Sequence, residues 1–204
     1  MAGTPTRSPI MDVALVAVFA ALIAAFSLAP AVPLPGNAVP ITLQTLAVAL
    51  TAMVIGPWRG AAATLLYLVV GFAGLPVFAQ GGSTLAVLAR PSAGYLIAFP
   101  VYAVVVGVLA GLALRKTNWL RPALFVVAGL VGSFMVIHPM GILGMARNIP
   151  TTIERAFVLD LAFWPGDVVK TVVAALIATA VHKAFPALAA RRRRPAAAAS
   201  TIPA

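Results

Sequence analysis

The chain has 204 residues, of which 62% are hydrophobic and only 9% are charged, and its mean hydropathy is +1.07. A soluble globular domain runs nearer half apolar and about a quarter charged, so that class is excluded and an all-helical membrane protein fits. There is no cysteine, which removes disulfides, thiol catalysis and zinc–cysteine sites. The 14 Lys and Arg against 4 Asp and Glu give a net charge of +10, an excess that the positive-inside rule alone can generate.

A spanning helix needs about 20 mostly apolar residues. The first run extends from Val13 to Ala29 and carries small residues at Ala17, Ala21 and Ala25. That spacing lets another helix approach closely, and it fits internal packing or the docking of a partner subunit equally well. A signal peptide is the weaker reading, because further spans follow and Pro30 directly succeeds the small-residue exit. The second run opens after the turn Pro33-Leu34-Pro35-Gly36-Asn37 and extends from Val39 to Gly56-Pro57. Thr42 and Gln44 put hydrogen-bonding groups at its start, where an uncharged polar ligand needs them; each alone also suits a helix start or an interhelical bond.

The third run begins at Gly60 and fades between Gly71 and Gly74. The connection from Gly71 to Tyr95 combines the breakers Gly74, Pro76, Gly81, Gly82, Pro91 and Gly94 with apolar Leu75, Val77, Phe78, Leu85, Val87 and Leu88. Irregular backbone is tolerated at membrane depth only when buried in protein or lining a cavity, so this composition predicts a lid over a pocket, with an interfacial loop as the alternative. The fourth run is Gly94 to Leu114 and the fifth Ala123 to Gly144. His138, before a proline in the fifth, reads as a packed histidine, and His182 is far from it in sequence. The last run is Pro165 to Ala184. The fold class is therefore all-α: a polytopic membrane protein of six transmembrane helices in one domain over residues 1–190, with a basic, alanine-rich, disordered tail over 191–204.

Six spans bring both termini to one side. With that side cytoplasmic, Arg7, Arg59, Arg115, Lys116, Arg121, Lys183 and the arginines 191–194 face inward, against Arg90, Arg147 and Arg155 outside. This asymmetry orients the chain as a multi-pass protein of the plasma membrane. It also accounts for the basic charge without nucleic acid; the basic tail meets anionic lipid of the bilayer.

Two acids stand near the last span. An ionisable residue at membrane depth is costly and is a functional-site candidate by default. In Phe163-Trp164-Pro165-Gly166-Asp167-Val168-Val169-Lys170, the proline suits a first helical position, which places Asp167 in the opening turn and Lys170 on the same face at i+3. Asp167 also suits a helix cap, but a lysine near a helix N-terminus opposes the dipole. The pair reads as a clamp for a small ligand, the aspartate accepting N–H bonds and the lysine donating to an oxygen, with a purely structural ion pair as the alternative. Asp160, before the proline, reads as a solvated edge residue. Given the orientation, the clamp lies just below the outer face.

No G-x-x-x-x-G-K-[ST] loop occurs, so ATP hydrolysis by that route is absent, and neither H-E-x-x-H nor G-x-S-x-G occurs. An intramembrane aspartyl protease needs facing aspartates on two helices, whereas Asp160 and Asp167 flank one proline. No metal site or cofactor is indicated.

Val39-Pro40-Ile41-Thr42-Leu43-Gln44-Thr45, Ile55-Gly56-Pro57-Trp58-Arg59-Gly60, Tyr67 through Gly71-Phe72-Ala73-Gly74-Leu75-Pro76-Val77-Phe78-Ala79, Gly81-Gly82, Pro91 to Tyr95, and Pro165-Gly166-Asp167-x-x-Lys170 occur in one order. Together, over about residues 11–184, they resemble the BioY family, the biotin-binding substrate component of energy-coupling-factor (ECF) transporters. The resemblance implies a six-helix protein that captures biotin from outside, partnered by a transmembrane coupling protein (T component) and two cytoplasmic ABC-type ATPases. It implies that Asp167 and Lys170 belong to the biotin site, and that Gly82, Gly94 and Tyr95 are associated with it. The family's usual G-P-T/S-G-G-Y reads Arg90-Pro91-Ser92-Ala93-Gly94-Tyr95 here, so Arg90 and Ala93 replace glycines and Arg90 offers a partner for a ligand carboxylate. A related vitamin of the thiamine or riboflavin class is the alternative ligand, and an intramembrane enzyme acting on lipid or peptide the alternative class.

Overall fold

A computed structural model describes residues 9–116, 118–186 and 188. Arg7 and the tail 191–204, with the placements expected for them, lie outside the described residues. The helices are α1 (Pro9–Leu28), α2 (Gln44–Ile55), α3 (Pro57–Phe72), α4 (Ala93–Ala113), α5 (Arg121–Gly132), α6 (His138–Asn148), α7 (Ile153–Asp160) and α8 (Trp164–Ala184). Among the described residues extended pairing is confined to the isolated bridges Val32–Ile41 and Phe78–Gly82. Helix α4 is central, packing on α2, α3, α5 and α6; α8 closes against α2 and α5, and α1 lies across α2 and α3.

Among the described residues four stretches are long and apolar enough to cross a membrane: Pro9–Leu28, Ala93–Ala113, Arg121–Asn148 and Ile153–Ala184. Large apolar side chains point outward along them, including Val13, Val18, Val101, Met135, Leu143 and Leu176. A soluble surface does not hold such a coat, whereas contact with lipid tails requires it.

The second expected span differs most. Its helix starts at Gln44 rather than Val39 and has 12 residues, about 18 Å of rise against a hydrocarbon core of about 30 Å. Pro40 has no N–H to give and biases Val39 towards extended backbone. The chain here bridges back instead, with Val32 and Ile41 exchanging two backbone hydrogen bonds of 2.9 Å. At the other end Gly56 adopts φ 93° and Pro57 occupies the first turn of α3. The positive φ suits glycine alone, and the proline starts a new helix at no loss.

Helix α7 was not expected. Thr152 starts it, its Oγ1 accepting the Arg155 N–H at 3.3 Å, a short-range cap that the surrounding apolar runs obscure. Between α5 and α6 the helix continues through a π turn, Ser133–Ile137. Buried positions run Gly129, Ser133, Ile137, Gly141 and Met145, every fourth residue. A helix of 3.6 residues per turn drifts by about 40° at each such step, and the wider π turn takes up part of the drift. Pro139, which lacks the N–H for a normal ladder, follows immediately, and His138 is thereby buried at 2% exposure.

Where α4 crosses α6, the backbones of Gly94 and Gly144 touch, and a Cβ at Gly94 would overlap the Met140 carbonyl. A rigid carbonyl cannot yield as a side-chain tip would. Gly94→Leu should therefore lose about 1–3 kcal/mol, seen as a thermal midpoint in detergent lowered by about 2–10 °C. Gly166→Ala, with open space around its Cβ, should leave the midpoint within about 1 °C. Equal midpoints for both variants would refute the close crossing.

Candidate functional site

One pocket gathers Thr42, Gln44, Arg90, Tyr95, Asp167 and Lys170. Its wall comprises Val39 to Thr42, Gln44 and Thr45 from the α1–α2 connection and α2; Phe78, Ala79, Gln80, Val87, Arg90 and Ser92 from the α3–α4 connection; Tyr95, Leu96 and Phe99 from α4; and Ile137, Phe163, Asp167 and Lys170. The space within this wall, open mouth included, is about 740 Å³. Residues 39–42, read from sequence as membrane helix, are thus cavity wall, which is where irregular backbone is tolerated.

Asp167 lies in the first turn of α8 and Lys170 one turn on. The Lys170 ammonium meets Asp167 Oδ1 at 2.5 Å and donates to the Thr42 carbonyl at 3.1 Å. Thr45 Oγ1 donates to the same Asp167 oxygen at 3.1 Å. No helix N–H reaches the Asp167 side chain among the described residues, so its part is not that of a cap. Both residues are nearly buried. No hydrogen bond to Asp167 Oδ2 is made by the described residues; His138 Nε2 lies 3.6 Å from it.

The remaining expected residues divide. Tyr95 faces the cavity with its ring, set edge-on to Phe163 at 5.8 Å, while its hydroxyl donates to Asp160 at 2.6 Å. Thr42 contributes its carbonyl to Lys170 and its hydroxyl to Gln44 Oε1 at 3.1 Å. Gln44 lines the wall, yet its amide nitrogen donates inward to Ser27 Oγ at 2.9 Å and Tyr67 Oη at 2.7 Å. Arg90 stands at the exposed mouth, donating to the Ala79 carbonyl at 3.3 Å. Gly82 and Gly94 stay behind the wall: a Cβ at Gly82 would press on Arg90 and Val87, and Gly94 is the α4–α6 crossing point. Ala17, Ala21 and Ala25 form an exposed face of α1, away from this pocket.

Asp160 is a correction. It was expected at a solvated edge and is fully buried, accepting from Tyr95 Oη, Trp164 Nε1 and His138 Nδ1. The signal was present, since an acid amid apolar residues seldom stays unpartnered; the expectation of loop before Pro165 concealed it. His138 is buried as read, but between two carboxylates rather than in apolar packing. Gln80, with φ 58°, was also missed.

The α3–α4 connection is ordered across the mouth. Phe78 and Val87 are buried beneath it, Thr84 N–H bonds the Gly71 carbonyl at 2.8 Å, and Asn148 Nδ2 donates to the Leu88 and Arg90 carbonyls at 2.8 Å each. Leu75 and Leu85 remain exposed on its outside.

The BioY family profile matches residues 3–187. A protein named biotin transporter BioY from Rhizobium etli is 38% identical over 182 residues, covering 88% of this chain and 97% of the relative. One of the same name from Rhodobacter capsulatus is 37% identical over 190 residues, covering 88% and 98%. A 2.1 Å crystal structure of the S-component for biotin from an ECF-type ABC transporter shares the fold, with a TM-score of 0.78 and 21% identity over 89% of this chain and 95% of that one. With a family match over nearly its whole length and relatives of this identity, the chain belongs to the BioY family.

Proposed function

We infer that this chain captures biotin at the outer face of the plasma membrane and serves as the substrate-specific subunit of an ECF-type transporter. The observation that carries the reading is the Asp167–Lys170 pair in the wall of an otherwise mostly apolar pocket, together with relatives named as biotin transporters. Biotin joins a ureido ring, with two N–H donors and one carbonyl, to an apolar bicycle and a carboxylate tail. The open Oδ2 of Asp167 suits the N–H donors, and the Lys170 ammonium suits the carbonyl. Val39, Ile41, Phe99 and Phe163 suit the apolar part. Arg90 at the mouth suits the carboxylate, for which a guanidinium is the best-matched side chain. The family is one of transporters, and the chain is not an enzyme.

Six crossings with both termini cytoplasmic accompany this reading. Arg59, Arg115, Lys116, Arg121 and Lys183 then share the inner side, opposite the pocket and its neighbours Arg90, Arg147 and Arg155. Helices α2 and α3 make the two shorter crossings, completed by the extended and irregular chain at their outer ends. The chain carries no nucleotide-binding loop, so concentrative uptake draws on a T component and two ABC-type ATPases, with the exposed alanines of α1 as the docking face.

Loss of one partner from a buried, hydrogen-bonded charge pair costs about 2–5 kcal/mol. Asp167→Asn and Lys170→Ala should each weaken binding of tritiated biotin to the detergent-purified chain by about tenfold or more, with folding retained. Unchanged dissociation constants in both would end the assignment. The α3–α4 connection should close further on ligand: hydrogen exchange across residues 74–94 slows when biotin is added, and identical exchange refutes a lid. Ala21→Trp should abolish concentrative uptake in cells and leave binding by the purified chain within about twofold. Lost binding would make the α1 face internal packing, and undiminished uptake would move the docking face elsewhere.

A further inference from the structure

Asp160 closes α7 without solvent exposure, and three donors from three elements converge on it. One of them, the His138 imidazole, lies between two carboxylates: Nδ1 is 2.9 Å from Asp160 Oδ2, and Nε2 is 3.6 Å from Asp167 Oδ2. The ring is held by Phe134 at 5.0 Å and Trp164 at 5.7 Å between centroids, and Ser133 Oγ is 3.3 Å from Nε2. An imidazole nitrogen facing a carboxylate oxygen carries the proton, so Asp160 fixes which nitrogen turns to Asp167. Lys170 and Thr45 both engage Oδ1 of Asp167, and Oδ2 lies 3.6 Å from His138 Nε2. A histidine that merely filled space would need neither acid, and burying a second carboxylate costs several kcal/mol unless it is fully partnered.

We propose that His138, oriented by Asp160, is a positioning residue for the binding site: it holds the Asp167 carboxylate in the rotation that keeps Oδ1 on Lys170 and presents Oδ2 to the ligand. The inference rests on the biotin reading above. Among the described residues His138 meets both carboxylates, so the three form a series, Asp160 to His138 to Asp167, across α7, α6 and α8. The arrangement parallels the outer partners that orient ligating side chains in metal sites, whose removal typically weakens binding about 10–100-fold.

The test is a double-mutant cycle on tritiated-biotin affinity of the purified full chain. His138→Asn keeps an amide near the Nδ1 position, able to donate to Asp160, and deletes the atom that faces Asp167. It should weaken binding by about tenfold in the native background and by less than about twofold when Asp167→Asn is already present, because residues acting through one another are not additive. Equal losses in both backgrounds would overturn the proposal, since a structural role acts regardless of Asp167. Asp160→Asn in the same cycle should show the same non-additivity and serves if His138→Asn does not fold; additivity there also overturns the proposal. Native protein that binds no biotin would overturn the functional reading and this inference with it, an outcome distinct from intact native binding with additive variants.

Discussion

The Asp167–Lys170 pair is the constraint on which the architecture of the pocket depends. Taking two opposite charges out of water costs several kcal/mol per ion, recovered only with close geometry and further hydrogen bonds. Each remaining valence therefore recruits a particular neighbour. The ammonium needs an acceptor, and the Thr42 carbonyl supplies it because residues 39–43 are outside the helix. Asp167 Oδ1 takes Thr45 from the first turn of α2. Its Oδ2 looks toward His138, which the π turn and Pro139 bring inward. Three regions distant in sequence, residues 42–45, His138 and the start of α8, are thereby held in one register by the valences of two side chains.

Much of this arrangement is legible in the sequence. The i+3 spacing behind Pro165 puts Asp167 and Lys170 on one face of a helix start, and they are bonded there. Runs such as Gly94 to Leu114 match their helices to within a residue. The failures share a physical cause: apolarity alone does not distinguish a residue facing lipid from one lining a cavity or crossing behind it. Val39, Pro40 and Ile41 form pocket wall, yet their apolarity reads as helix. Gly94 is small because a second backbone passes it, although its motif suggested a place at the ligand. The π turn leaves no local mark beyond Pro139, so the rotation that delivers His138 is invisible until the tertiary contacts are seen.

Gln44 shows a further limit of reading polar residues singly. A polar side chain at the start of a span offers bonds to a ligand, but here its amide holds the protein together. It accepts from Thr42, and it donates to Ser27 on α1 and Tyr67 on α3. Ser27 and Tyr67 also bond each other at 3.0 Å, so three polar groups in an apolar interior satisfy one another. In a low-dielectric core an orphaned member would cost more than in water, which makes the cluster a strict determinant of how α1, α2 and α3 meet.

That cluster is continuous with the clamp. Lys170 bonds the Thr42 carbonyl, the Thr42 hydroxyl bonds Gln44, and Gln44 bonds α1 through Ser27. Tyr67 in turn sets its ring edge-on to Phe78, buried under the α3–α4 connection, at 5.3 Å. Clamp, cover and α1 are therefore not three independent features laid on a helical scaffold. A shift of Thr42 that relaxed its grip on Lys170 would also disturb the donor to Gln44, and with it the seat of α1 and the ring beneath the cover. Close-packed interiors respond to such shifts by exchanging one set of bonds for another rather than by stretching all of them slightly. The hydrogen-bonded inner face of α1 thus reaches the Asp167–Lys170 pair through Gln44 and Thr42, while its alanine face looks outward.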